Sequence, residues 1–179
     1  EARGKYMQMA VPEGEGAMYA IIGLNDPEII DACKKAQEST GQVVAAVNFN
    51  SPGQVVIAGS KAAADAAAAL CKDAGAKRAL PLSVSVPSHC ELMRPASEQL
   101  QVLMESIDFH KPEIDVINNV DVESPRDVEA IKKALLEQLY CPVRWTETIE
   151  YLAKQDVTEV FEIGPGKVLT GLIKRIDKS

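Results

Sequence analysis

The 179-residue sequence predicts an α/β protein in which a β-α-β-β-α-β unit interrupts a second α/β layer. Three observations carry this reading. Short apolar runs bounded by Gly, Pro and Asn-Asp alternate with helical patterns in the first half, strands and helices alternate again in the second half, and a helical segment precedes the first run. The boundaries place residues 1–12 and 83–179 in one layer and 13–82 in the inserted unit.

Residues 1–10 read as the end of a helix, because Pro12 disfavours continuation through Val11. Arg3 and Met7, four apart, share one face of it. After the loop PEGEG, the apolar run AMYAIIGL at 17–24 is a strand. Asn25 or Asp26 caps a helix over 27–39 with Pro27 in its first turn. Strands at 43–48 and 54–58 are separated by FNSPG, a hairpin length. Ser60 caps the alanine-rich helix KAAADAAAALCKDAG, which Gly75 ends, and 77–82 is the fourth strand. That order is the ferredoxin-like arrangement, with both helices on one face of an antiparallel sheet.

The stretch PLSVSVPSHCELM at 81–93 delivers a histidine. Val84 and Val86 alternate with Ser83 and Ser85 as an extended segment with one apolar face, which Pro87 ends. Ser88 then serves as an N-cap with Glu91 in capping-box position, and Leu92, Ala96, Leu100 and Leu103 recur at helical spacing to about residue 106. His89 falls in the first turn of that helix, at a strand-to-helix junction where α/β proteins gather ligands. Position alone leaves two readings open, a catalytic imidazole or a partly buried histidine that only packs. His110, in DFHKP, has no such setting and reads as surface.

In the second half, IDVINNV at 114–120 reads as a strand, followed by a helix over 126–140 with an apolar stripe at Val128, Ile131, Leu135 and Leu139. A helix over 146–155, a strand over 157–163 and a helix over 167–176 complete the layer. Gln138 lies in the last turn of its helix, where a carbonyl has lost its intrahelical donor. A histidine N–H received there would fix the tautomer and aim the other ring nitrogen; an ordinary amide at a helix end is the alternative. GPGK at 164–167 lacks the GxxxxGK[ST] spacing of a phosphate loop and reads as a tight turn approaching a neighbouring element.

Composition narrows the function. Lys and Arg number 19 against 26 Asp and Glu, a net charge of −7 without acidic blocks, which argues against a nucleic-acid partner. Cys33, Cys71, Cys90 and Cys141 make no CxxC and no Cys/His zinc spacing, so reduced thiols are expected rather than a metal site or disulfides. No apolar run approaches the roughly 20 residues of a membrane span and no leader opens the sequence, so a cytoplasmic protein is expected. EARGKYMQMAV has no initiator Met, and Glu1 is not expected to be the natural start. No GxSxG elbow occurs, so an acylating serine would have to come from elsewhere.

The phrases RGKYMQ, NFNSPGQVVIAG, KRALPLSVSVPSHC, NNVDV and FEIGPGKVLTGL, in this order and spacing, resemble the bacterial malonyl-CoA:acyl carrier protein transacylases of type II fatty acid synthesis over essentially the whole chain. The resemblance implies part of an α/β-hydrolase-like acyltransferase domain with an inserted ferredoxin-like subdomain. It implies ping-pong transfer of malonyl from malonyl-CoA to a serine, then to the phosphopantetheine thiol of acyl carrier protein, with no cofactor or metal and with a monomeric complete enzyme. In that family the histidine of VPSHC is the base, here His89, and Gln138 in EQLY orients it through its carbonyl. Arg3 in RGK matches the arginine that binds the malonyl carboxylate, with Met7 beside it. Asn48 and Asn50 lie in the phrase that reaches toward the pantetheine arm. Lys167, Lys174 and Arg175 on the last helix are candidates for meeting the acidic carrier, with an ordinary solvated helical face as the alternative. The family's GQG and GHSLG segments, upstream of the arginine, are absent, so a carboxyl-terminal part without the nucleophile, inactive alone, is expected. The rivals are a non-catalytic ferredoxin-like ligand- or protein-binding module and an acyltransferase fragment of a polyketide synthase.

Overall fold

The computed structural model describes residues 1–84 and 86–178. Four strands, β1 (Gly16–Ile22), β2 (Val44–Ser51), β3 (Gln54–Ser60) and β4 (Arg78–Pro81), form one antiparallel sheet in the order β2-β3-β1-β4. The α-helices among the described residues are α1 (Ala2–Ala10), α2 (Asp26–Thr40), α3 (Lys61–Asp73), α4 (Arg94–Met104), α5 (Val128–Glu137), α6 (Trp145–Lys154) and α7 (Val168–Ile176).

The first half is punctuated as its sequence demands. The Asn25 side chain accepts the Glu28 N–H, Pro27 opens α2, and Gly41 closes it in the left-handed conformation at φ 66° with its N–H on the Gln37 carbonyl. Ser60 occupies the N-cap of α3, but its hydroxyl makes no cap bond; the Lys61 N–H goes instead to the Glu15 carbonyl at 2.8 Å.

The two faces of the sheet do different work. On one, Ile21, Val44, Val55 and Ile57 pack against Ile29, Ala36, Ala67 and Cys71 of α2 and α3, where small alanines let the helices lie close. Burial there pushes the Cys33 thiol to about 12 and that of Cys71 to about 11, so both stay protonated. On the other face, Met18, Val47, Val56 and Ala58 receive Cys90 and Leu92. A third cluster seats α1 on α4 through Met7, Val11, Met93, Ala96 and Leu139.

Several expectations are corrected. Strand β4 ends at Pro81, and Ser83, Val84 and Val86 do not extend it; Ser85 lies outside the described residues. The next helix does not begin at Ser88. A 3₁₀ turn, Glu91–Met93, precedes α4, the Ser88 hydroxyl faces the Val86 carbonyl at 3.5 Å, and Glu91 binds Arg94 rather than closing a capping box. No strand forms at 114–120, where local bonds win: the Asn118 side chain accepts the Val120 and Asp121 N–H groups, and the Ser124 hydroxyl accepts that of Val116. No strand forms at 157–163 either; Glu162 turns to accept the Leu169 and Thr170 N–H groups at the start of α7. Gly164 and Gly166 make a turn, but a Cβ on either would meet nothing within 4 Å, so no neighbour approaches them.

One glycine is fixed by packing. A Cβ on Gly16 would stand 2.5 Å from Cδ and 2.7 Å from Cγ of Pro87, a fully buried ring that cannot swing aside. Gly16→Ala is therefore expected to destabilise the protein by about 1–3 kcal/mol, as overpacking does. Denaturant unfolding measures this, and an unchanged midpoint would show that the Pro87 turn yields freely.

Candidate active site

His89 stands in a turn between Pro87 and the 3₁₀ segment, at φ 65°, a left-handed conformation that side chains bearing a Cβ seldom adopt. The turn is held from two sides. On the sheet side Pro87 packs on Gly16, and the Cys90 thiol, 2 % exposed, donates to the Pro87 carbonyl at 3.2 Å. Burial raises that thiol to about 11, which makes it a packing group and not a nucleophile.

On the other side lies the end of α5. The His89 N–H donates to the Leu139 carbonyl at 3.0 Å, and His89 Nδ1 lies 2.7 Å from the Gln138 carbonyl oxygen. Gln138 is the C-cap of α5; its own N–H still reaches the Ala134 carbonyl, while its carbonyl has passed the last helical donor. A carbonyl can only accept, so this contact places the proton on Nδ1 and leaves Nε2 as the acceptor in the neutral ring.

Burial lowers the His89 pKa most; the Gln138 carbonyl holds the ring proton and offsets part of this, the positive Arg3 lowers it again, and the Cys141 backbone raises it. The ring is therefore neutral at neutral pH. Between the unfolded value of about 6.5 and the lowered folded value, the unfolded chain binds more protons. Stability contributed by the neutral ring is thus present above about pH 6.5 and lost as pH falls toward the folded pKa. Unfolding free energies measured against pH should decline more steeply in this window for the parent than for His89→Gln, and equal slopes would mean that burial does not shift the ring.

Arg3 projects from the exposed side of α1, partly desolvated, and makes no ion pair among the described residues. A guanidinium with no ion-pair partner has its paired donors available to an incoming anion. Met7, one helical turn on, is 8 % exposed and packs with Met93 and Leu139, so it anchors α1 against the residue whose carbonyl holds the His89 turn. Asn48 and Asn50 lie on β2, both half-buried. Asn48 meets the site through backbone: Val143, shortly after Gln138, bridges it, with the Val143 N–H on the Val47 carbonyl at 2.8 Å and the Phe49 N–H on the Val143 carbonyl at 3.0 Å. The Thr146 hydroxyl, at the start of α6, adds a bond to the Phe49 carbonyl.

The structure thus brings His89, Gln138 and Arg3 into one locality and ties the strand bearing Asn48 and Asn50 to it through Val143. Gly16 and Leu139 escaped sequence reasoning, since one acts by lacking a Cβ and the other through its carbonyl. His110 is exposed. Among the described residues no group of His, Cys, Asp and Glu could hold a metal ion, and no helix is long and apolar enough to cross a membrane.

No family model matches the chain. It is 65% identical over 176 residues to the malonyl CoA-acyl carrier protein transacylase of Haemophilus influenzae, covering 98% of this chain and 56% of that protein. An acyl carrier protein S-malonyltransferase from Vibrio cholerae has the same fold at a TM-score of 0.96 and 60% identity, over 99% of this chain and 57% of that one. A malonyl-transacylase solved in complex with its type II PKS acyl-carrier protein matches at a TM-score of 0.95 and 60% identity, over 98% of this chain and 56% of that one. The chain spans about half the length of the curated relatives it matches. Along nearly its whole length, it is homologous to the malonyl CoA-acyl carrier protein transacylases.

Proposed function

We propose that this chain is the carboxyl-terminal part of a malonyl-CoA:acyl carrier protein transacylase and supplies its general base and its carboxylate clamp. The observation that carries the reading is the 2.7 Å contact between His89 Nδ1 and the Gln138 carbonyl, which leaves Nε2 free to accept a proton. In this reading Nε2 takes the proton of a serine hydroxyl on a preceding segment as that oxygen attacks the malonyl thioester. The C–S bond breaks, and the proton passes to the departing coenzyme A thiolate. The phosphopantetheine thiol of acyl carrier protein then gives its proton to Nε2, attacks the ester, and the serine recovers its proton. The Gln138 carbonyl stabilises the imidazolium in each half, as a carboxylate does in a Ser-His-Asp triad. No cofactor or metal enters these steps.

Arg3 holds the malonyl carboxylate through its fork, and Asn48 and Asn50 face the pantetheine arm. Lys167, Lys174 and Arg175 offer positive charge to the acidic carrier. Residues 13–82 form a ferredoxin-like subdomain inserted between 1–12 and 83–179, which belong to an α/β-hydrolase-like acyltransferase domain. The segments 114–120 and 157–163 become strands of that domain's sheet once its remaining strands are beside them. Their exposed apolar side chains support this: Ile114 is 74% exposed, Phe161 75% and Ile163 92%. The test is malonyl transfer from malonyl-CoA to holo carrier protein by the full-length protein. A folded full-length protein that transfers none would refute the reading.

A further inference from the structure

We propose that Ser97 is a positioning residue for His89, acting through the last turn of α5. The consequence for catalysis rests on the transacylase reading; the positioning itself does not. Ser97 lies on α4 and is 6% exposed. A buried hydroxyl must find an acceptor, and within a helix the usual one is its own carbonyl four residues back. Ser97 instead crosses to α5 and donates to the Leu136 carbonyl at 3.1 Å.

That carbonyl also receives the Leu139 N–H at 3.2 Å, so Ser97 bonds the atom that closes the turn. The carbonyls that follow are the ones that hold the site. Glu137 takes the Tyr140 and Cys141 N–H groups, Gln138 takes the His89 ring, and Leu139 takes the His89 main chain. One turn earlier on α4, Arg94 stacks 4.0 Å from the centre of the Tyr140 ring, its guanidinium forked onto Glu91 at 2.7 and 2.8 Å. α4 therefore grips this turn twice, with Arg94 outside and Ser97 inside. The Arg94–Tyr140 stacking is made by a half-exposed guanidinium and contributes little, which leaves the buried Ser97 bond as the stronger constraint. Without it the turn can shift, and the Gln138 carbonyl no longer selects the Nδ1–H tautomer as strongly.

The test uses ¹⁵N-labelled full-length protein, in which imidazole nitrogen shifts report the His89 tautomer without turnover. The parent is expected to hold the Nδ1–H form. Ser97→Ala should lower the ratio of Nδ1–H to Nε2–H about fivefold, the factor that corresponds to about 1 kcal/mol. The kcat for malonyl transfer should fall with it and the KM for malonyl-CoA stay unchanged. Ser97→Thr, which keeps the hydroxyl, should restore both. If Ser97→Ala fails to fold, Ser97→Cys, a weaker donor of similar shape, should give an intermediate ratio. Ring signals of the alanine variant that coincide with those of the parent would overturn the proposal even if activity fell. A parent whose tautomer responds to Ser97→Ala but which transfers no malonyl would reject the transacylase reading and leave the positioning role standing.

Discussion

His89→Ala in the full-length protein is expected to slow malonyl transfer by roughly 10²–10⁴-fold, the range that general acid–base catalysis supplies, with the fold retained. Both halves of the proposed reaction pass a proton through Nε2, so no step escapes the loss. The turn at φ 65° does not depend on the ring alone, since it is also fixed by Pro87 against Gly16 and by the His89 N–H on Leu139. His89→Asn separates the two effects, since asparagine tolerates the left-handed region better than most residues. If the alanine variant failed by collapse of the turn, asparagine would recover activity; both are expected to be equally impaired. Gln138→Ala should cost far less, because the acceptor is a main-chain carbonyl that the substitution leaves in place. A loss equal to that of His89→Ala with the structure intact would transfer the orienting role to the Gln138 side chain.

Arg3→Ala should change which acyl group is transferred. Malonyl differs from acetyl by one carboxylate, and the planar guanidinium can hold it through two parallel charge-assisted bonds. Bonds to charged groups contribute roughly 1.5–3 kcal/mol each, so kcat/KM for malonyl-CoA should fall at least about tenfold. Acetyl-CoA has no carboxylate to lose, and its kcat/KM should hold or rise. Arg3→Lys keeps the charge without the fork and should recover only part of the preference. A second readout is independent of substrate. Because Arg3 lowers the His89 pKa, its removal should move the acid limb of the kcat/KM profile to higher pH. Parallel losses for the two acyl groups would remove Arg3 from the site.

The four strands and two helices between Gly16 and Pro81 were legible because each boundary carries its own chemistry. Asn25 and Pro27 start α2, Gly41 stops it, and Gly53 turns the hairpin between β2 and β3. The segments 114–120 and 157–163 carry the same β-branched alternation, yet alternation records only a capacity to pair. A strand needs a partner edge, and Asn118 and Glu162 spend their bonds locally when none is beside them. The helix after His89 starts later than its spacing predicts for a related reason. Ser88 and Glu91 match a capping box by spacing, but the left-handed turn at His89, held by the distant Leu139 carbonyl, overrides it. Of the candidate site, the residue types His89, Gln138 and Arg3 could be read in the sequence. So could the Gln138 carbonyl as an acceptor for the ring, but the Leu139 carbonyl on the His89 N–H and the fit of Pro87 over Gly16 could not, because a residue's type does not show which distant group its main chain meets.

The proposed division, with the base and the clamp in this chain and the acylated serine before it, is tested directly by one measurement. The full-length protein and the 179-residue chain are incubated with malonyl-CoA, their intact masses are taken, and any adduct is located by peptide mapping. The full-length protein should carry one hydroxylamine-labile malonyl group on a serine preceding Glu1, and the 179-residue chain should carry none. A stoichiometric malonyl ester on any residue from Glu1 to Ser179, in either protein, would contradict it.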